Sequence, residues 1–148
     1  MKKKLIYSSV ILVFVFLFLF VQHLEKHAEN SFLTEIEVED IPEVLQIKEV
    51  PQLPNWKIEK IQKFDDGFTH PYPIIFFENG IQLHLTINEQ LYNLKSKESI
   101  LIGIRKAVLY KDNDNRIYSF GFSNLYYAFI LNSNDQSSLV ENYIVETH

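Results

Sequence analysis

Residues 74–88 read Ile-Ile-Phe-Phe-Glu-Asn-Gly-Ile-Gln-Leu-His-Leu-Thr-Ile-Asn and carry the plainest fold signal in the chain. Two apolar arms flank Glu78-Asn79-Gly80. Asn-Gly supplies the positive φ angles of a tight two-residue hairpin, so the stretch predicts two antiparallel strands. In the second arm Ile81, Leu83, Leu85 and Ile87 alternate with Gln82, His84, Thr86 and Asn88. A period of two puts these sets on opposite faces. One face is then buried and the other wet, as in an antiparallel sheet covered on one side. His84 falls on the wet face and is expected to be solvated.

Toward the C-terminus, Gln90 to Ser99 is polar and reads as a loop. Ile100 to Tyr110 is a second β region, with Gly103 as a bulge or bend. Lys111 to Arg116 is a polar turn. Ile117 to Ser123 and Tyr126 to Asn132 read as two further strands. Tyr118, Phe120 and Phe122 share one sheet face. Ser133 followed by Gln136 has the spacing of a capping box, and Leu139, Val140, Tyr143 and Ile144 form the apolar stripe of a final helix. That helix is expected to cover the aromatic face.

Toward the N-terminus, Trp56 to Phe64 alternates as a strand with an irregularity near Lys60, and Asp65-Asp66-Gly67 is a turn signal. Ile41 to Val50 reads as a short helix, with Asp40 as its cap, Pro42 in its first turn and Pro51 ending it. Val44, Leu45 and Ile47 are its expected inward residues. Residues 41–148 thus predict an α+β domain: a curved antiparallel sheet of about six strands with a C-terminal helix packed on one face.

Leu5 to Val21 is uncharged and follows Lys2, Lys3 and Lys4. This run, extended through Leu24, meets the ~17-residue minimum for a membrane-spanning helix. Positive-inside bias predicts a cytoplasmic stub at 1–4, a transmembrane anchor at 5–24 and everything later outside the cell membrane. Residues 25–40 are rich in Glu and Asp and read as an acidic stalk, with a short strand conceivable over Thr34 to Val38. A cleaved signal fits less well, because bulky Leu24 and charged Lys26 stand where small residues are wanted. All 19 acidic residues follow the run and three of the 14 basic ones precede it, leaving 19 acids against 11 bases, a balance of −8. That balance argues against nucleic acid as a partner. With Cys 0, the outer part has no disulfide framework and relies on its own core.

The patterns that carry chemistry fail on inspection. Asp112-Asn113-Asp114-Asn115 begins like a calcium loop, but the fifth, sixth and twelfth positions are Arg116, Ile117 and Ser123 instead of an oxygen ligand, Gly and Glu. His23 and His27 are two potential ligands at helical spacing without a third. Gly121-Phe122-Ser123-Asn124 lacks the second glycine of a nucleophile elbow. No catalytic set, metal or cofactor is therefore expected. The expected contact surface is the proline-stiffened loop with Phe68, His70 and Tyr72, together with Glu78 and Asn79 at the hairpin tip.

Val50-Pro51-Gln52-Leu53-Pro54-Asn55-Trp56-Lys57-Ile58 resembles a hydrophobe-Pro-x-Leu-Pro-x-Gly/Trp lead into a first strand. With Ile102-Gly103-Ile104, Ala107-Val108-Leu109 and the helix at Ser137-Ser138-Leu139-Val140, residues 41–146 are similar to an extracytoplasmic domain of unknown function. That domain occurs in membrane-anchored, anti-sigma-factor-like proteins and lipoproteins of Gram-positive spore-forming bacteria. The resemblance implies a sensory or protein-interaction role without catalytic residues. The expectation is a single-pass, envelope-facing protein-binding or sensory module whose partner is another membrane or envelope protein. The alternative is an accessory or immunity-type factor guarding a membrane neighbour. A hydrolase with a site assembled from scattered residues is the remaining reading.

Overall fold

The hairpin of residues 74–88 lies at the centre of an eight-stranded sheet in the computed structural model. The structure describes residues 32–112 and 115–147. The expected stub, the anchor, the stalk up to residue 31 and two residues of the Lys111–Arg116 turn lie outside the described residues. Among the described residues, no helix is long and apolar enough to cross a membrane.

The strands are β1 (Leu33–Glu35), β2 (Ile58–Phe64), β3 (Tyr72–Phe77), β4 (Gln82–Thr86), β5 (Ser96–Ile102), β6 (Arg105–Lys111), β7 (Arg116–Phe122) and β8 (Leu125–Leu131). Their spatial order is β1-β2-β3-β4-β8-β7-β6-β5. Two four-stranded meanders thus meet where β4 pairs with β8, and every pairing from β2 across to β5 is antiparallel. Helices α1 (Ile41–Leu45) and α2 (Ser137–Glu146) cover one face.

Eight strands replace the expected six for two local reasons. Leu33–Glu35, inside the expected stalk, pairs at one edge of the sheet. The polar stretch before Ile100 is also a strand. β5 is an edge strand, so Lys97, Glu98 and Ser99 face water while their backbones pair with β6. Gly103 is a hairpin turn joining β5 and β6, its φ of +60° suiting the first position of a two-residue turn.

Other details differ for equally local reasons. The 74–88 hairpin closes with three residues: Phe77 N donates to Ile81 O at 3.0 Å, and only Gly80 takes a positive φ. The two-residue turn with both central φ values positive is instead Ser123-Asn124, at +50° and +65°. α1 stops at Leu45 because Gln46 turns left-handed and its N–H caps the carbonyls of Glu43 and Pro42. Asp40 does not cap α1 with its side chain; it accepts from Glu37 N at 2.9 Å. The expected capping box is a 3-10 turn, Asn134–Gln136, and α2 begins after it at Ser137.

The periodicity reading of the core holds apart from Leu139, expected in the apolar stripe of α2 but 43% exposed. Ile81, Leu83 and Leu85 are buried with Tyr118, Phe120, Tyr127 and Phe129 beneath Val140, Tyr143 and Ile144 of α2. Ile41 and Leu45 of α1 join the same cluster. Partly buried Trp56 packs against this cluster, edge-on to Phe77 at 5.2 Å and to Phe129 at 5.8 Å, and tilted against Tyr143 at 6.2 Å. Such ring pairs add to the area they bury.

Candidate functional site

The sheet's second face is where the molecule differs from a simply wetted sheet. Register places Gln62, Ile74, His84, Ala128, Ser119, Val108 and Ser99 in one row across seven strands. A neighbouring row runs Lys60, Phe76, Gln82, Ile130, Ile117, Tyr110 and Lys97. Each end of this second row is closed by a lysine over a ring: Lys60 Nζ lies 4.7 Å from the Phe76 centroid and Lys97 Nζ 5.4 Å from that of Tyr110.

The connection from β4 to β5 must travel from the middle of the sheet to its edge, and it does so across this face. Tyr92 packs edge-on against Tyr110 at 5.4 Å, and Leu94 joins the small cluster of Tyr110, Ile117 and Ala128. Tyr92 donates its hydroxyl to Gln90 Oε1 at 2.8 Å. Burial, with Tyr72 and Tyr110 nearby, pushes the Tyr92 hydroxyl far up its titration scale.

His84 is half-buried instead of standing free in water. It sits 5.6 Å from the ring of Tyr72, which in turn lies tilted at 5.1 Å against Phe64. Burial lowers its imidazole from 6.5 to about 4, so the ring is neutral at ordinary pH. Its Nδ1 is buried without a hydrogen-bond partner among the described residues.

The five candidate contact residues divide between the two ends of the sheet. Phe68 and His70 lie in the β2–β3 loop and Tyr72 opens β3, whereas Glu78 and Asn79 lie beyond the other end of that strand. At ~3.3 Å per residue β3 separates them by about 20 Å. Tyr72 is turned back onto the sheet, and burial raises its hydroxyl pKa. His70 Nδ1 lies 2.8 Å from Pro71 O. Phe68 alone of the three stands free of the sheet, 95% exposed. Its loop is built by two carboxylates: Asp65 accepts from Gly67 N at 3.1 Å, and Asp66 from Phe68 N at 3.0 Å and Thr69 N at 2.8 Å. Those amide bonds hold the Asp66 carboxyl below its usual range. At the other end, Glu78 pairs with Lys57 at 2.6 Å. The Asn79 side chain accepts from Ile81 N at 3.0 Å, and the Asn79 backbone carbonyl accepts from the Gln136 side-chain amide.

His70 and Tyr72 line one recess of about 330 Å³ with Phe64, Asp66, Thr86 and Glu89. A larger groove, about 690 Å³, opens over β5 to β8, where the connector leaves the second face uncovered. Ser99, Val108, Ser119 and Gly121 form its floor, with Leu101, Lys106 and Tyr126 along its walls and Glu89 at the rim. Alternation of Ser119 and Gly121 with the buried Tyr118 and Phe120 was the signal for this floor. Among the described residues, no group of three or more His, Cys, Asp or Glu is placed to hold a metal ion.

No family model matches the chain, and no curated protein or solved structure matches it.

Proposed function

We propose that this chain is a membrane-anchored, extracytoplasmic binding domain that works by contact and not by catalysis. The observation that carries this reading is the uncovered groove over β5 to β8, about 690 Å³ in volume. Its floor is made of small side chains, so a partner segment approaches the strands closely, while Leu101 and Tyr126 offer apolar walls. The groove adjoins β5, whose outer edge leaves backbone groups available to an added strand. The uncharged run Leu5 to Val21 behind three lysines supports the anchor, and the acidic balance outside supports a protein partner over nucleic acid. The resemblance to extracytoplasmic domains of anti-sigma-factor-like proteins points to the same class of role. Anchoring confines the domain beside the bilayer and raises its effective concentration toward a membrane or envelope neighbour, so a weak contact suffices.

Photo-crosslinking in cells tests this. Ser99, exposed on the groove floor, is replaced by a photoreactive residue, with Asn79 as the comparison position. A discrete protein adduct at 99 and not at 79 is expected. Adducts with lipid alone, or none, from a folded protein overturn the groove as the contact surface.

A further inference from the structure

The two ends of the sheet differ in chemistry. Antiparallel register puts the β2–β3 loop, the β5–β6 turn and the β7–β8 turn at one end, and the β3–β4, β6–β7 and post-β8 connections at the other. Phe68 is 95% exposed in the first loop and Ile104 is 96% exposed in the second turn. The β5–β6 turn is flanked by Leu101, 68% exposed on the groove side, and by Val145 of α2, 51% exposed, whose methyl lies 3.3 Å from where a Gly103 Cβ would sit. Val50, 43% exposed, borders the same end next to Phe122, Ser123 and Leu125. The opposite connections carry Glu78, Asn79, Asp112, Asn115, Asn132 and Ser133. Turn tips ordinarily hold Gly, Asn, Asp or Ser, so a phenylalanine and an isoleucine left almost wholly in water at the same end stand out. Leu91, on the crossing connector, and Leu139, on α2, stand outside this group.

Chain path selects the occupant. Thr34 lines a recess with Lys63, His70 and Pro71, and Ile36 N donates to Ile61 O at 3.1 Å. The chain therefore enters the sheet at the Phe68 end and runs inward along β2. The uncharged run lies just upstream, and residues 25–33 span at most about 30 Å even when fully extended. The charged groups at this end are Lys63, paired with Asp65 at 3.5 Å, Asp66, whose carboxylate accepts from loop amides, Arg105, whose guanidinium lies 4.5 Å from the Phe122 centroid, and exposed Lys106 beside the β5–β6 turn.

We infer that this end of the sheet docks on the lipid bilayer, with Phe68 and the Leu101, Ile104 and Val145 group as two apolar feet in the interface. The polar end with Glu78 and Asn79 then points away from the membrane, and the groove stands side-on, close to the bilayer. Insertion is driven by apolar area, and on phosphatidylcholine, which carries no net charge, Arg105 and Lys106 beside the turn add little attraction. This inference rests on the anchored reading above.

The test uses the full chain, which contains no cysteine, so single labels are unambiguous. Phe68→Cys, Ile104→Cys and Asn79→Cys each carry an environment-sensitive fluorophore, and the protein is reconstituted in phosphatidylcholine vesicles. Blue-shifted emission quenched by spin-labelled lipid at 68 and 104, with water-like, unquenched emission at 79, is the expected result. Water-like emission at all three positions, in chains that float with the vesicles, overturns the docking. So does shielding at 68 and 104 that spin-labelled lipid does not quench, which marks a protein contact instead. Chains that fail to float with the vesicles overturn the anchor itself, a failure separate from that of the docked end.

Discussion

The Tyr143 hydroxyl donates to the backbone oxygen of Gln52 at 2.9 Å, linking α2 to a connector 91 residues earlier. The ring packs edge-on to Phe129 at 5.3 Å, and burial pushes the hydroxyl pKa up to about 12. Tyr143→Phe keeps the packing and leaves the Gln52 carbonyl without this donor. It should lower stability by about 1 kcal/mol, and Tyr143→Ala by about 3–5 kcal/mol. Urea unfolding of the two variants side by side separates the hydrogen bond from the ring.

Ile144 is fully buried between α2 and the sheet. Ile144→Asp places a carboxylate where no partner waits and should cost roughly 2–4 kcal/mol. An unchanged melting temperature would show that α2 is not docked.

Gly103 combines a φ of +60° with a side-chain methyl of Val145 at 3.3 Å from the position of a Cβ. Gly103→Ala meets both the backbone penalty and the crowding, and should destabilise by about 1 kcal/mol or more. Gly67 also has positive φ, but nothing lies within 4 Å of its Cβ position. Gly67→Ala should therefore cost less, and the difference in denaturation midpoint between the two variants measures the Val145 contact.

His84 gives a pH dependence with a definite sign. Its pKa falls from 6.5 in the unfolded chain to about 4 in the folded one, so between these values the unfolded state binds more protons. The contribution is fully present above pH 6.5, declines as pH falls through the window, and changes no further below 4. Urea midpoints measured across that window should fall more steeply for the parent chain than for His84→Gln. Equal slopes would show that the imidazole is hydrated.

Much of the architecture is legible in residue order, because side-chain periodicity is a local property that a strand or helix imposes on its own sequence. Ile81, Leu83 and Leu85, the aromatic face of Tyr118 and Phe120, and the stripe Val140, Tyr143 and Ile144 are all found where alternation or helical spacing puts them. The second β region was visible as well, but its division was not. Lys97, Glu98 and Ser99 read as loop because an edge strand is stabilised by backbone pairing and leaves its side chains in water.

Residue order alone establishes the apolar run near the N-terminus, the surplus of acids after it, the want of cysteine and the antiparallel character of the core hairpin. Long-range register decided the rest. Only the pairing of β4 with β8 sends the following connector across the second face and leaves the groove beside it. The same register sets Phe68 and Ile104 at one end of the sheet and Asn79 at the other. These placements depend on hydrogen bonds between residues far apart in the chain, and a local pattern of polar and apolar residues carries no record of them.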